Sequence, residues 1–441
     1  MAMPSPEKGL KSIQKLGLFT FGITIARFAL RLIKSVVFTR ALGPANRGVF
    51  GLIVTLPSLV VSLGNLGFGL GNTYLVANKH RELKRIYGNV LLYAVLLGPL
   101  LMAMGYLTFS KGWLIKGNGE VAHAFLPWML AAIPLILLSN FETDLIVAIR
   151  DIRFVNILNL SLSAAPLLMF PLLWVVTRKP LYSAVIAWFF GGVIVCIGAT
   201  FRLLQKSGYS LGFSRAWFKD ALFYGWRGFV NILANQLILR IDFLFVSALL
   251  GAKALGFYAV SVSLVEILLS LPAAFNLPFL PIRLGQDSEG SRNLTPIVIR
   301  HSLFVMFSVC ILTAITGKII IWILFGKRFL PAYTPLLCLL PGILFLSVYD
   351  FLRSDLYSHN LPGYVSWVAV AALLANLGLN TVLIPWLGIN GAAISSSISY
   401  GLSTVLLMVK HKHLSGNSYR DLILITSEEL SRLWGFLRFR R

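Results

Sequence analysis

Charge is what this sequence has least of. Asp, Glu, Lys and Arg make up 12% of its 441 residues, against about 25% in soluble domains, and only 16 residues are acidic. So little charge in a chain that is 57% hydrophobic, with mean hydropathy +0.81, excludes a soluble globular protein. Cysteine is scarce too. Cys196, Cys310 and Cys338 fall in apolar segments, with no CxxC and no His near them, which leaves them as small buried hydrophobes rather than redox or metal groups. The six histidines, at 80, 123, 301, 359, 411 and 413, show no HExxH spacing, and there is no GxxxxGK[ST] loop. No metal centre, no cofactor and no ATP hydrolysis are expected.

What the chain does have is apolar length. A hydrocarbon core of about 30 Å needs roughly 20 residues of helix, and about twelve such segments can be placed, six between Leu16 and Leu203 and six between Ala221 and Val409. This predicts an all-α integral membrane protein. The polar, basic start "MAMPSPEKGLKSIQK" runs straight into the first crossing, so no cleavable signal is expected.

The net charge of +23 does not point to nucleic acid, because the basic residues are spread over short connections. One side collects Lys8, Lys11, Lys15, Lys79, Lys84, Arg85, Arg150, Arg153 and Arg202, whereas the other holds fewer, among them Arg40, Arg47, Arg178 and Lys179. By the positive-inside rule both termini lie in the cytoplasm.

An offset of about 208 positions carries "LGPANRG" at Leu42–Gly48 onto "LGAKALG" at Leu250–Gly256, and Glu142 onto Asp350, without a gap. Six crossings separate equivalent positions, so the halves form a parallel repeat about an axis along the membrane normal, an architecture of transporters. The expected units are residues 1–208 and 209–411, each a six-helix bundle, and a tail, 412–441. From Thr426 that tail has a capping-box spacing and one apolar face with Arg around it, which predicts a basic amphipathic segment on the cytoplasmic leaflet.

The first crossing carries "ARFALRLIKSV". Arg27, Arg31 and Lys34 are spaced four and then three and share one helix face with Thr20 and Thr24. A cation at the centre of a membrane helix costs about 2.5–3.5 kcal/mol on insertion scales, so the stripe is expected to face a cavity, with snorkelling as the alternative, most of all for Lys34. In the seventh crossing Arg227, Asn231, Asn235 and Asp242 fall on one face, Asn235 and Asp242 being the offset partners of Arg27 and Lys34. Arg240 and Gln236 are expected to point nearly opposite, toward helix packing or an interface. Intramembrane carboxylates are Glu142, Asp144, Asp242, Glu266, Asp350 and Asp355. Glu142, Asp144, Asp242 and Asp350 stand as candidates either for salt bridges or for coupling H+ or Na+.

Three stretches resemble a known family: "FTRALGPANRGVFGLIVTLPSLVVSLGNLGFGLGNTYLVA" at Phe38–Ala77, "AIRDIRFVNILN" at Ala148–Asn159 and "NLGLNTVLIPWLGINGAAISSSISY" at Asn376–Tyr400. They are similar to the polysaccharide and O-antigen flippases of the multidrug/oligosaccharidyl-lipid/polysaccharide exporter superfamily. The resemblance implies two six-helix bundles in a V-shaped, alternating-access transporter of the bacterial inner membrane that carries an undecaprenyl-pyrophosphate-linked oligosaccharide to the periplasmic leaflet. It also implies a basic central cavity, with Arg27 and Arg31 placed like its cations. Lys34, Arg227, Asn231 and Asn235 are expected to assist them at the headgroup, while the polyprenyl tail stays in membrane lipid. Polymerase or export proteins are conceivable partners.

Related lipid II flippases carry two further C-terminal helices, not expected here because the last crossing ends near Val409. The alternative within the superfamily is a cation-coupled multidrug antiporter, which would line its cavity with carboxylates. A membrane enzyme is disfavoured, since the longest outer loop, Ser110–Val121, has Glu120 as its only carboxylate.

Overall fold

Helix α1 runs over 59 residues, Pro6–Gly64, which at about 1.5 Å per residue would extend roughly 88 Å, three times a hydrocarbon core. It does not run straight. In the computed structural model, which describes residues 6–79, 82–110, 119–209, 211–284, 288–359, 361–415 and 419, Gly43 adopts φ 69°, ψ 175° inside α1. That conformation suits glycine alone, and it divides α1 into two limbs. Pro44 starts the second limb, where its missing N–H costs no hydrogen bond.

The second limb breaks at Leu66 and Gly67, both with positive φ, and continues as α2 (Phe68–Lys79). Four single crossings follow: α3 (Leu83–Phe109), α4 (Gly119–Ala148), α5 (Ile152–Thr177) and α6 (Pro180–Lys206). The seventh crossing is also broken, into α7 (Arg215–Ile238) and α8 (Ile241–Leu250). Then come α9 (Ala252–Leu284), α10 (Ser288–Phe325), a 3-10 turn (Lys327–Ala332), α11 (Tyr333–Ser358), α12 (Pro362–Leu387) and α13 (Ile389–Ser415). Counting the two limbs of α1 separately, the described residues make twelve crossings, as expected. The tail from Thr426 lies outside the described residues.

Large apolar side chains stand exposed along α3, α5 and α10, among them Val95, Leu96, Leu100, Leu172, Val176, Leu312 and Ile315. On a multi-pass membrane protein this is the surface that lipid covers.

The repeat is visible in the backbone. Gly251, 208 residues after Gly43, has φ 84°, ψ 175° and separates α8 from α9, as Gly43 separates the limbs of α1. The two turns also pack reciprocally. A Cβ on Gly48 would lie 1.8 Å from the Ala252 carbonyl oxygen, and a Cβ on Gly256 1.8 Å from that of Pro44. Since 44 and 48 are the offset partners of 252 and 256, this is one contact seen from both sides of a pseudo-two-fold axis. At the other end of the span α2 crosses α7 as closely: Gly67 and Gly225 each abut the other's carbonyl, and Gly71 abuts that of Ala221. Tyr74 and Tyr224 stack at 3.8 Å beside them. Asn89 and the Ser214 backbone exchange two hydrogen bonds of 3.0 Å. Without a hydrophobic drive between helices in lipid, close packing of small residues is what joins the halves.

A side chain at Gly256 must force α1 and α9 apart, an overpacking cost of about 1–3 kcal/mol. Gly256→Leu is expected to lower the Tm of the purified protein by several degrees, while Gly378→Ala on α12, where nothing lies within 4 Å, leaves it unchanged or slightly raised. Equal Tm values for the two variants would refute the close approach.

Candidate functional site

The cationic stripe lies on the first limb of α1. Arg27 is half-buried and its Nε is enclosed without a hydrogen-bond partner among the described residues. Arg31 is exposed and Lys34 half-buried. Arg31 is within electrostatic reach of both neighbours, and Lys34 of Arg47. The side chains of Thr20 and Thr24 lie outside the described residues.

Arg47 is the residue that sequence reasoning missed. Counted among the outer connections, it is in fact inside the second limb, because the helix resumes at Pro44. The signal was the Gly-Pro pair itself, which marks a helix start as well as a turn. Its Nε donates to Thr39 Oγ1 at 3.2 Å, and its Nη2 crosses to Ser263 Oγ on α9 at 3.2 Å. Arg47 is also within electrostatic reach of Glu266 and Arg240, which pair at 2.6 Å. Arg27, Arg31, Lys34, Arg47 and Arg240 thus form a run of five cations, each within electrostatic reach of the next, that leads along α1 to its contact with the second half. Two carboxylates reach them, Glu266, paired with Arg240, and Asp242, within electrostatic reach of the same Arg240. Arg40 takes no part: it is exposed and donates to the Ile323 and Leu324 carbonyls at the C-terminal end of α10, the favoured place for a cation at a helix terminus.

The seventh crossing departs from the face expected of it. Counting 100° per residue presumes an unbroken helix, and here the ladder is interrupted at Leu239–Arg240, where Arg240 has φ −134°. Past that break the faces rotate. Asp242 turns into the second half, 2% exposed, where Tyr258 Oη donates to it, with the Phe243 N–H at 2.8 Å and Ser396 Oγ at 3.4 Å. Arg240, expected at helix packing or an interface, meets Glu266 of α9. Before the break, Asn231 is also inside that half, donating to the Val365 carbonyl at 3.3 Å and accepting from Tyr357 Oη at 2.9 Å. Asn235 donates to the Asn231 carbonyl at 2.8 Å. Arg227 is on α7, but its side chain lies outside the described residues.

The carboxylates separate into different environments. Glu142 is fully buried and accepts from Thr200 Oγ1 (2.6 Å), Tyr87 Oη (2.8 Å) and Cys196 Sγ (3.7 Å), so neutral donors hold it where a salt bridge was one expectation. Its offset partner Asp350 is exposed and paired with Arg353 one turn along α11, at 2.9 Å. The Asp144 carboxylate has no hydrogen-bond or ion-pair partner among the described residues, although the residue's backbone carbonyl accepts from Thr73 Oγ1 at 3.4 Å. Its Oδ2 occupies the space a Cβ on Gly69 would take, at 2.2 Å. Asp355 on α11 meets His411 Nδ1 on α13 at 2.8 Å, both buried.

Comparison with solved structures places the fold. The lipid II flippase MurJ in an inward-closed conformation superimposes with TM-score 0.75 at 14% identity, over 96% of this chain and 93% of that one. A multidrug resistance MATE family transporter of the MOP superfamily, facing inward, matches with TM-score 0.70 at 12% identity, over 89% and 98%. In sequence, the chain is 25% identical over 389 residues to a putative O-antigen transporter of Shigella flexneri, covering 83% of this chain and 90% of that protein. A segment of 87 residues is 34% identical to a probable low-salt glycan biosynthesis flippase of Haloferax volcanii, covering 20% and 18%. With the model of the polysaccharide biosynthesis protein family matching residues 37–334, the chain belongs to that family.

Proposed function

We propose that the protein is a flippase that moves an undecaprenyl-pyrophosphate-linked oligosaccharide, an O-antigen, capsule or exopolysaccharide unit, from the cytoplasmic to the periplasmic leaflet of a bacterial inner membrane. The observation that carries this is the run of five cations that extends along α1 to the contact with the second half, with only Glu266 and Asp242 seen to oppose it among the described residues. An anionic headgroup is what such a cluster would hold. Arginine suits it, because a planar guanidinium gives two charge-assisted hydrogen bonds to phosphate oxygens and stays protonated. The unpaired Nε of Arg27 leaves donor capacity for a ligand. The O-antigen transporter and glycan flippase among its relatives support the same substrate class.

In this proposal the bundles 1–208 and 209–411 rock about the Gly48–Gly256 crossing, opening the α2–α7 crossing to admit the headgroup from a cytoplasm that also holds both termini. Glu266 holds Arg240 when no substrate is present and yields it to the incoming phosphate. An inside-negative potential assists outward movement of an anion, by about 2.3 kcal/mol per net charge per 100 mV. Glu142 and Asp144, which no cation neutralises among the described residues, are the candidates for coupling H+ or Na+. The same carboxylates are what a cation-coupled multidrug antiporter would use, so Asp144 supports that second reading.

In a strain deleted for the gene, the Arg27→Ala/Arg31→Ala double variant at normal membrane level is expected to lower surface-glycan export at least about tenfold, the loss of two charge-assisted contacts. Full export by that variant would remove the headgroup role. An antiporter would instead keep its drug efflux in this variant and lose it in Asp144→Asn.

Glu142→Gln keeps an acceptor for Tyr87 and Thr200, so the fold is expected to survive. If Glu142 carries the coupling proton, export by this variant no longer responds to an imposed pH gradient in membrane vesicles. A wild-type response would pass the coupling role to Asp144.

A further inference from the structure

Inside the first half lies a cavity of about 670 Å³, walled by α1, α2, α4, α5 and α6 and bordered by Ile232 of α7. None of the five cations lines it. Its walls instead carry unspent hydrogen-bonding capacity. The side chains of Asn65, Asn140 and Asn159 and the carboxylate of Asp144 reach this space and have no hydrogen-bond partner among the described residues. The lining hydroxyls donate to backbone carbonyls, Thr143 to that of Ser139 at 2.7 Å and Thr73 to those of Gly69 and Asp144 for example, and so keep their lone pairs for an occupant. Trp188 adds an aromatic surface that stacks on no other ring among the described residues.

These groups select among ligand classes. A phosphate would meet no cation here and one carboxylate. An acyl chain would strand the three amides. An organic cation would use Asp144 and the ring but leave the six amide N–H donors of Asn65, Asn140 and Asn159 without an acceptor. A sugar ring matches the whole set, since its hydroxyls both donate and accept and its C–H face packs on an aromatic ring. The volume is within the about 300–1,000 Å³ of ligand pockets.

Depth ties the cavity to the cations. Ser58, on its wall, is fifteen residues after Gly43, and Arg27 is sixteen before it. At about 1.5 Å per residue both lie about 23 Å from the turn, at one level of the membrane. We infer that this cavity is a sugar subsite, which takes the first glycosyl units of the substrate while Arg27 and Arg31 hold its pyrophosphate. The inference rests on the flippase reading above and adds the part of the substrate that the cation cluster does not explain.

The test uses the full-length protein in lipid nanodiscs with three probes: undecaprenyl pyrophosphate, the same lipid bearing one N-acetylglucosamine, and free N-acetylglucosamine. For the unsubstituted protein the sugar-bearing lipid is expected to bind about tenfold more tightly than the bare lipid, with free sugar in excess displacing neither. Asn140→Leu removes that advantage and leaves bare-lipid affinity unchanged. Asn159→Ser, which cannot overfill the cavity, does the same, so a folding failure of one variant leaves the other decisive. Arg27→Ala weakens both lipids alike.

No gain from the sugar, with Arg27-dependent binding of the bare lipid, would mean that the cavity holds water only and overturns the subsite but not the flippase. Free sugar binding as tightly as the sugar-bearing lipid, or tetraphenylphosphonium binding that Asp144→Asn abolishes, also overturns it. Failure of the bare lipid to bind at all overturns the flippase reading itself.

Discussion

Hydrocarbon does not solvate charge, and the arrangement of this protein follows from keeping its few charges out of lipid. Arg27, Arg31 and Lys34 stand on a helix whose other faces are Phe, Leu, Ile and Val. Insertion costs of about 2.5–3.5 kcal/mol for each cation make a lipid-facing orientation untenable. Two bundles packed about an axis offer the alternative, an internal surface where Arg47 crosses to Ser263 and Arg240 meets Glu266. The exposed surface of α3, α5 and α10 is correspondingly apolar.

Packing about that axis depends on glycine. Gly48 and Gly256 at one end, and Gly67, Gly71 and Gly225 at the other, let backbones meet at distances a Cβ would forbid. In lipid, where apolar side chains gain nothing by leaving the solvent, such contacts supply most of the cohesion between helices. They also suit a moving interface, because a glycine crossing parts without pulling interlocked side chains from one another. In the proposed rocking motion the same residues that hold the halves together serve as fulcrum and latch.

The halves share a backbone and differ in chemistry. Arg27 and Lys34 correspond to Asn235, which donates to the Asn231 carbonyl of its own helix, and to Asp242, which is buried in the second half and satisfied there. The fully buried Glu142 corresponds to the exposed Asp350 with its Arg353. The polar cavity likewise belongs to the first half. Pseudo-symmetry supplies two bodies that fit one another, and its violations give the first half the polar cavity and the carboxylates Glu142 and Asp144, which no cation pairs among the described residues, while the cation cluster draws on both.

Composition and period were enough to establish a membrane protein of about twelve helices, since a hydrocarbon core imposes apolar length directly on sequence. The repeat was legible because Gly43 and Gly251 occupy a conformation only glycine takes readily, so the turn is written in residue type. The stripe of Arg27, Arg31 and Lys34 was legible because it lies on unbroken helix, where 100° per residue holds. Asp242 left its expected face because a break in the seventh crossing resets that count, and no residue between Ile238 and Ile241 announces it. Arg47, the neutral setting of Glu142 and the cavity beside Asp144 each arise from side chains brought together from different helices. Such contacts depend on how helices cross, which periodicity along one chain does not encode and tertiary packing decides.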